Sequence, residues 1–236
     1  MRNIADIQTS FRLDTGPLIK FVLFVSADQP SRLVIVAHHL VIDQVSWSIL
    51  LADLDRECRS IVQGKSFSNT KTTPLLHWTG RLRARANMEP SRLIQFWSAH
   101  SEMATSRIPR DFSSSTYPIE ENSDAYIVKL DTGTTEQLLS SVSDAYQTRT
   151  DEIVLTALLQ VLSKWMKQSA IRIDTERHGR ENVFDDVDLS RTVGWFTAFF
   201  PTAFVLSFDH DPEQDIKSTK ERLRAVPHGG LAPWSI

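Results

Sequence analysis

Two short stretches of this chain gather side chains that can move protons. The first is His38-His39-Leu40-Val41-Ile42-Asp43. Imidazole titrates near neutral pH, so a histidine pair with a carboxylate close behind is equipped for general acid–base work. The second is Glu176-Arg177-His178-Gly179-Arg180-Glu181, which sets carboxylates, an imidazole and two guanidinium groups in six consecutive positions. Blander readings apply to both stretches. A histidine pair at a strand end is commonly a satisfied structural feature, and Glu176 taken alone is a surface strand end. A metal site is disfavoured, because Asp43 is the only other nearby ligand and no second histidine cluster or cysteine set completes a shell.

These residues must be held by regular elements. Leu33 to Ala37 is apolar and rich in valine and isoleucine, as a buried strand requires. Side chains alternate along a strand, so His38 and His39 are expected to point in opposite directions. Trp47, Leu50, Leu51, Leu54, Cys58, Ile61 and Val62 recur at steps of three and four, which predicts a helix to about Gln63 with these residues on its apolar face. Asp43 or Ser46 is placed to cap that helix or to accept from an imidazole N–H. Cys58, the single cysteine, is expected as a buried core thiol on the same face. Ile171 to Thr175 reads as a strand carrying Glu176 at its end. The aromatic run Trp195 to Phe208 reads as another buried strand.

The first stretch resembles the HHxxxD core of the condensation-domain superfamily of nonribosomal peptide synthetases. Downstream, Thr175-Glu176-Arg177-His178-Gly179-Arg180-Glu181 and Arg191-Thr192-Val193-Gly194-Trp195-Phe196-Thr197 resemble two motifs of the epimerization domains within that superfamily. The likeness covers nearly the whole chain. It implies a mixed α/β, chloramphenicol-acetyltransferase-like fold of two lobes set in a V, with the site in the tunnel between them. It further implies inversion at the α-carbon of an aminoacyl or peptidyl thioester. One group must remove the α-proton from one face and another must return a proton to the other. The resemblance assigns this pair as His39 and Glu176. Burial disfavours a carboxylate's charged form, which would suit Glu176 to donating a proton. His38, Asp43, His178, Arg180, Arg191 and Trp195 are expected in support: Asp43 holding the histidine turn, His178 and Arg180 ordering the strand end through Glu181 or Asp174, and Arg191, Trp195 and Phe196 shaping the tunnel. A peptide-bond-forming condensation domain is the competing reading, and an inactive remnant is a third. Gln44 and Arg177 stand where the family usually carries glycine. Glutamine would be unsuited to a positive φ, and Arg177 is expected to crowd the cavity or pair with Glu176.

No cofactor is expected on the chain itself. The phosphopantetheine arm of a partner peptidyl carrier domain would present the substrate, and adenylation and condensation modules are the expected neighbours. The superfamily's domain is roughly twice as long as these 236 residues, so the resemblance implies a partial domain whose second lobe is incomplete. The expected layout is a first lobe over 1–108, lacking its start and carrying the histidine pair, a linker over 109–123 with Pro109, Pro118 and three serines, and a second lobe over 124–236 carrying both downstream motifs. Within that second lobe, Ala125 to Leu130 reads as a strand. Thr134 to Tyr146, Asp151 to Met166 and Asp211 to Ala225 read as helices. A net charge of −3 gives no sign of nucleic-acid binding. No apolar run reaches the roughly 20 residues of a membrane span, so a cytoplasmic protein is expected. Arg81, Arg83 and Arg85 read first as a solvated helix face and only secondarily as a docking patch for an acidic carrier.

Overall fold

A computed structural model describes residues 4–66, 71–88, 90–102, 107–111, 123–207, 209 and 211–231. The chain forms two compact units that do not follow chain order. One is Met1–Glu89 with Glu176–Ala198 and Gly230–Ile236, and the other is Pro90–Thr175 with Phe199–Gly229. The motif residues from Glu176 to Thr197 therefore pack in the same unit as the histidine pair, although a layout by chain order groups them with residues 124–236. Most of the expected linker, 112–122, lies outside the described residues.

In the first unit, a short helix α1 (Ile4–Thr9) precedes β1 (Ile19–Phe24) and β2 (Arg32–Ala37). These two strands pair antiparallel, from Ile19 opposite Ala37 to Phe24 opposite Arg32. After β2 come a single 3-10 turn, His39–Val41, and helix α2 (Gln44–Val62). Asp43 caps α2, its carboxylate accepting from the Ser46 N–H at 2.7 Å. Gln44 thus begins a helix. The positive-φ residues other than glycine among those described are Gln147, Lys167 and His228, so glutamine suits this backbone.

The expected apolar face of α2 is not its buried face. Ser46 and Ile49 are buried, whereas Leu51, Ile61 and Val62 are exposed. Cys58 is exposed too, which corrects the expectation of a core thiol. The helix is held by polar contacts of Ser46 in its first turn and by Asp53, which pairs with Arg191, while its last turns are largely exposed. Helix α3 (Leu75–Met88) supplies Trp78, which packs with Leu189 and Phe196, flanked by Leu75, Leu82, Val183 and Phe184. The arginines of α3 have work inside the unit. Arg81 forms a forked pair with Asp186 at 2.7 and 3.2 Å and lies 4.4 Å from the centre of the Phe184 ring, and Arg85 donates to the Val183 carbonyl. Arg81 and Arg85 are therefore not part of a purely solvated face.

The second unit holds α4 (Pro90–Glu102), α5 (Thr132–Leu139), α6 (Ser141–Tyr146), α7 (Thr150–Met166) and α8 (Pro212–Arg224). Strand β3 (Ala170–Arg177) enters it from Ala170 to Thr175 and pairs with β4 (Ala198–Val205). Leu155, Leu159, Leu162 and Met166 of α7 pack on Ile171, Ile173, Phe204, Leu206 and Leu223. This is the helical spacing of α7 meeting alternate residues of β3, with Phe204 of β4, Leu206 just past it and Leu223 of α8 completing the cluster. Asp211 caps α8 and Pro212 occupies its first turn, where a missing N–H costs nothing.

Three expectations need correction here. The helix expected over Thr134–Tyr146 is two, because Ser140 leaves the helical region and its hydroxyl donates back to the Glu136 carbonyl. The strand expected over Ala125–Leu130 is absent. That segment has no ladder partner among the described residues, and Tyr126, Ile127 and Val128 are exposed. The strand expected from Trp195 starts only at Ala198, because Gly194 and Phe196 are engaged elsewhere; Phe208 lies outside the described residues.

Candidate active site

A cavity of about 290 Å³ in the first unit is lined by His39, Asp43, Gln44, Val45, Glu176, Arg177, His178 and Thr197. It brings together the two residues assigned to proton transfer. His39 comes from the 3-10 turn after β2, and Glu176 from the end of strand β3. Both are exposed, so the burial expected to favour a protonated Glu176 is not present.

The two histidines have different surroundings. The His38 ring meets Phe11 edge-on at 6.1 Å, and its Nδ1 accepts from the Leu40 N–H at 3.2 Å. This uses His38, the residue that caps the 3-10 turn, to shape that turn, and leaves His39, its first residue, at the cavity.

Behind the cavity lies a buried polar cluster that joins all three motifs. Asp43 is 4% exposed. One carboxylate oxygen accepts from the Ser46 N–H, and the other accepts from the Phe196 N–H at 3.0 Å. The Arg180 guanidinium stands 3.4 Å from the carboxylate and donates to the Ser46 hydroxyl at 2.8 Å. Its other terminal nitrogen donates to the carbonyls of Leu189 and Thr192 at 2.9 and 2.8 Å. Its face lies 3.9 Å from the centre of the Phe196 ring. The Ser46 hydroxyl donates to the Gly194 carbonyl at 2.8 Å and accepts from the Gly194 N–H at 3.0 Å. Burial raises the Asp43 pKa, but the hydrogen bonds from Ser46 and Phe196 and the charge of Arg180 outweigh it and hold the carboxyl below the usual range.

Arg180 does not engage Glu181 or Asp174, as the motif reading expects; its partners are Asp43, Ser46 and two carbonyls. His178 does stand near Glu181, at 3.7 Å, while its Nδ1 accepts from the Arg180 N–H at 2.9 Å. Arg191 pairs with Asp53 of α2, Trp195 is 43% exposed and Phe196 is core. Arg177 and Glu176 both line the cavity, yet no ion pair joins them among the described residues. Ser46 and Gly194 are the contributors that sequence reasoning missed in these roles. A serine one turn into a helix, behind a capping aspartate, is the only local signal for them.

Gly179 lets the second motif approach the third. It has φ +66°, and a Cβ there would lie 1.6 Å from the Phe196 carbonyl oxygen. Gly179→Ala is expected to destabilise the protein by about 2 kcal/mol or more, combining left-handed strain with overlap against backbone. Urea unfolding of the variant, read as a lowered midpoint, checks this.

Among the described residues no group of His, Cys, Asp and Glu is arranged to hold a metal ion, and no helix is long and apolar enough to cross a membrane.

The Condensation domain family matches residues 2–232. A mycosubtilin synthase polypeptide of Bacillus subtilis is 37% identical over 228 residues, which cover 96% of this chain and 9% of that protein. A linear gramicidin synthase polypeptide of Brevibacillus parabrevis is 37% identical over 229 residues, 95% of this chain and 4% of that protein. Among solved structures, the epimerization domain from the third module of tyrocidine synthetase B matches with TM-score 0.81 and 31% identity, over 95% of this chain and 50% of that one. The first condensation domain of the CDA synthetase, at 15% identity and TM-score 0.64 over 91% of this chain and 47% of that one, shares the fold. The chain spans about half of these solved domains and under a tenth of these synthase polypeptides. Its mixed α/β architecture is the chloramphenicol-acetyltransferase-like fold expected from the motifs.

Proposed function

The chain belongs to the condensation-domain family of nonribosomal peptide synthetases, and from that premise we propose that it is of the epimerization type, inverting the α-carbon of an aminoacyl or peptidyl thioester carried on a phosphopantetheine arm. The observation that carries this reading is the cavity lined by both His39 and Glu176. The motif likeness around Glu176 and Trp195, and 31% identity to a solved epimerization domain, support it.

The chemistry follows from the substrate. A thioester makes its α-hydrogen a weak acid, so inversion requires a base on one face and an acid on the other. In this proposal His39 and Glu176 serve the two faces, and the stereochemistry of the bound thioester decides which of them removes the proton. The negative charge that develops on the thioester oxygen needs hydrogen-bond donors. Gln44 and Val45, the first two residues of α2, line the same cavity. The first N–H groups of a helix have no partner within it, so they suit that oxygen. Asp43 and Arg180 touch no substrate here; they fix the turn that carries His39. The partners in this reading are a peptidyl carrier domain, which supplies the arm, and neighbouring synthetase modules.

The test is to offer an aminoacyl thioester on a carrier domain in heavy water. Deuterium at the α-carbon together with the opposite epimer is the expected result. Amide formation between two carrier-bound substrates, with no α-deuterium, would replace this reading with condensation.

A further inference from the structure

The cavity that holds His39 and Glu176 also holds a cation that pairs with no described residue. Arg177 lines the cavity, is half-buried, and makes no hydrogen bond or ion pair with any described residue. The other charged groups at the wall are different. The Asp43 carboxylate is occupied by Ser46, Phe196 and Arg180. His178 accepts from the Arg180 N–H and faces Glu181. Glu176 brings an exposed carboxylate to the same wall, but no ion pair joins it to Arg177 among the described residues, and Gln44, Val45 and Thr197 are uncharged.

A guanidinium stays charged at any working pH and offers a rigid fork of donors that matches a carboxylate. Partly withdrawn from water and unpaired, it gains most from a ligand that brings an anion. We infer that Arg177 is a specificity-determining residue, selecting acyl thioesters whose side chain bears a carboxylate, of the aspartyl or glutamyl kind. The inference rests on the epimerization reading for the identity of the ligand as a thioester. The phosphate of the arm is a second source of negative charge, and it is common to every substrate.

The deciding comparison is between glutamyl- and glutaminyl-phosphopantetheine thioesters, which match in shape and differ in charge. With the full chain, α-hydrogen exchange should favour the glutamyl substrate. Arg177→Gln should lower kcat/KM for the glutamyl thioester about tenfold, the worth of one charge-assisted hydrogen bond, and do so through KM. The glutaminyl value should fall much less, so the glutamyl-to-glutaminyl ratio is the readout. Arg177→Glu should turn the preference toward a lysyl thioester, a gain that an unfolded variant cannot show. Equal losses for both thioesters would assign Arg177 to the phosphate or the reacting oxygen and overturn the inference, as would no change in either. If the parent chain exchanges neither thioester, the epimerization reading fails by itself. Calorimetric binding of the corresponding stable amides then decides Arg177 separately: an acid preference erased by Arg177→Gln upholds it, and equal affinities overturn it.

Discussion

His39→Ala is expected to slow epimerization about 10²–10⁴-fold, the usual contribution of a positioned acid or base, and Glu176→Gln to slow it within the same range. The two variants should fail differently. When the group that removes the α-proton is lost, no carbanion forms, and deuterium uptake falls together with inversion. When only the group that returns the proton is lost, the carbanion still forms and is re-protonated on its original face. Deuterium then washes in with configuration retained. Offered the L-thioester, one variant should show exchange without inversion; offered the D-thioester, the other should. The double variant should be little worse than the poorer single one, because the two groups act in one sequence. Wild-type rates of exchange and inversion in both single variants would remove His39 and Glu176 from the mechanism. His38→Ala should have a smaller effect, since the His38 ring packs on Phe11 and its Nδ1 already serves the Leu40 N–H.

The largest loss of stability is expected at Asp43. Its side chain and that of Arg180 are 5% and 9% exposed. Removing one member of a buried ion pair strands the other's charge, which costs about 3–5 kcal/mol. Asp43→Ala additionally uncaps α2 and frees the Phe196 N–H. Arg180→Ala should cost a similar amount, and the double variant much less than the sum, because the stranded charge is then gone. Urea midpoints of the three variants measure this. The pH dependence has a defined sign. The folded Asp43 carboxyl is held below its ordinary value, so it contributes stability above the ordinary aspartate range near about 3.9 and loses that contribution as the pH falls through the lower, folded value. Asp43→Asn should flatten the acid limb of the stability curve. An unchanged acid limb would show that Asp43 does not couple folding to protons.

Much of this arrangement is legible one element at a time. The valine-rich run marks β2, the three–four spacing marks α2, the apolar stretch 151–166 marks α7, and Asp211-Pro212 marks the start of α8. The separation of His38 from His39 is expected from alternation, although both residues lie past β2 at a 3-10 turn. That Glu176 shares a cavity with His39 is accessible only through the motif resemblance, since no local pattern relates positions so far apart. What stays hidden depends on tertiary surroundings. Periodicity identifies the apolar stripe of α2 but does not reveal that Leu51, Ile61, Val62 and Cys58 lie uncovered, because burial depends on what packs against a face. The run at 125–130 has strand-forming residues without a described strand to pair with. The partners of Arg180 include backbone carbonyls and a serine, groups that carry no signal in a residue pattern.

The contact between Ser46 and Gly194 closes a span of 148 residues, and that from Phe196 to Asp43 one of 153. A ribosome adding about 5–20 residues per second needs on the order of ten seconds or more to make that stretch. Throughout that interval the nascent histidine turn lacks the Gly194 and Phe196 contacts that will lock it, and the Asp43 carboxylate has no guanidinium. The cavity is therefore a late product of biosynthesis, completed only after the third motif has left the exit tunnel. A stalled or prematurely released chain ending before Arg180 would carry both histidines and every residue of α2, and still have no assembled site.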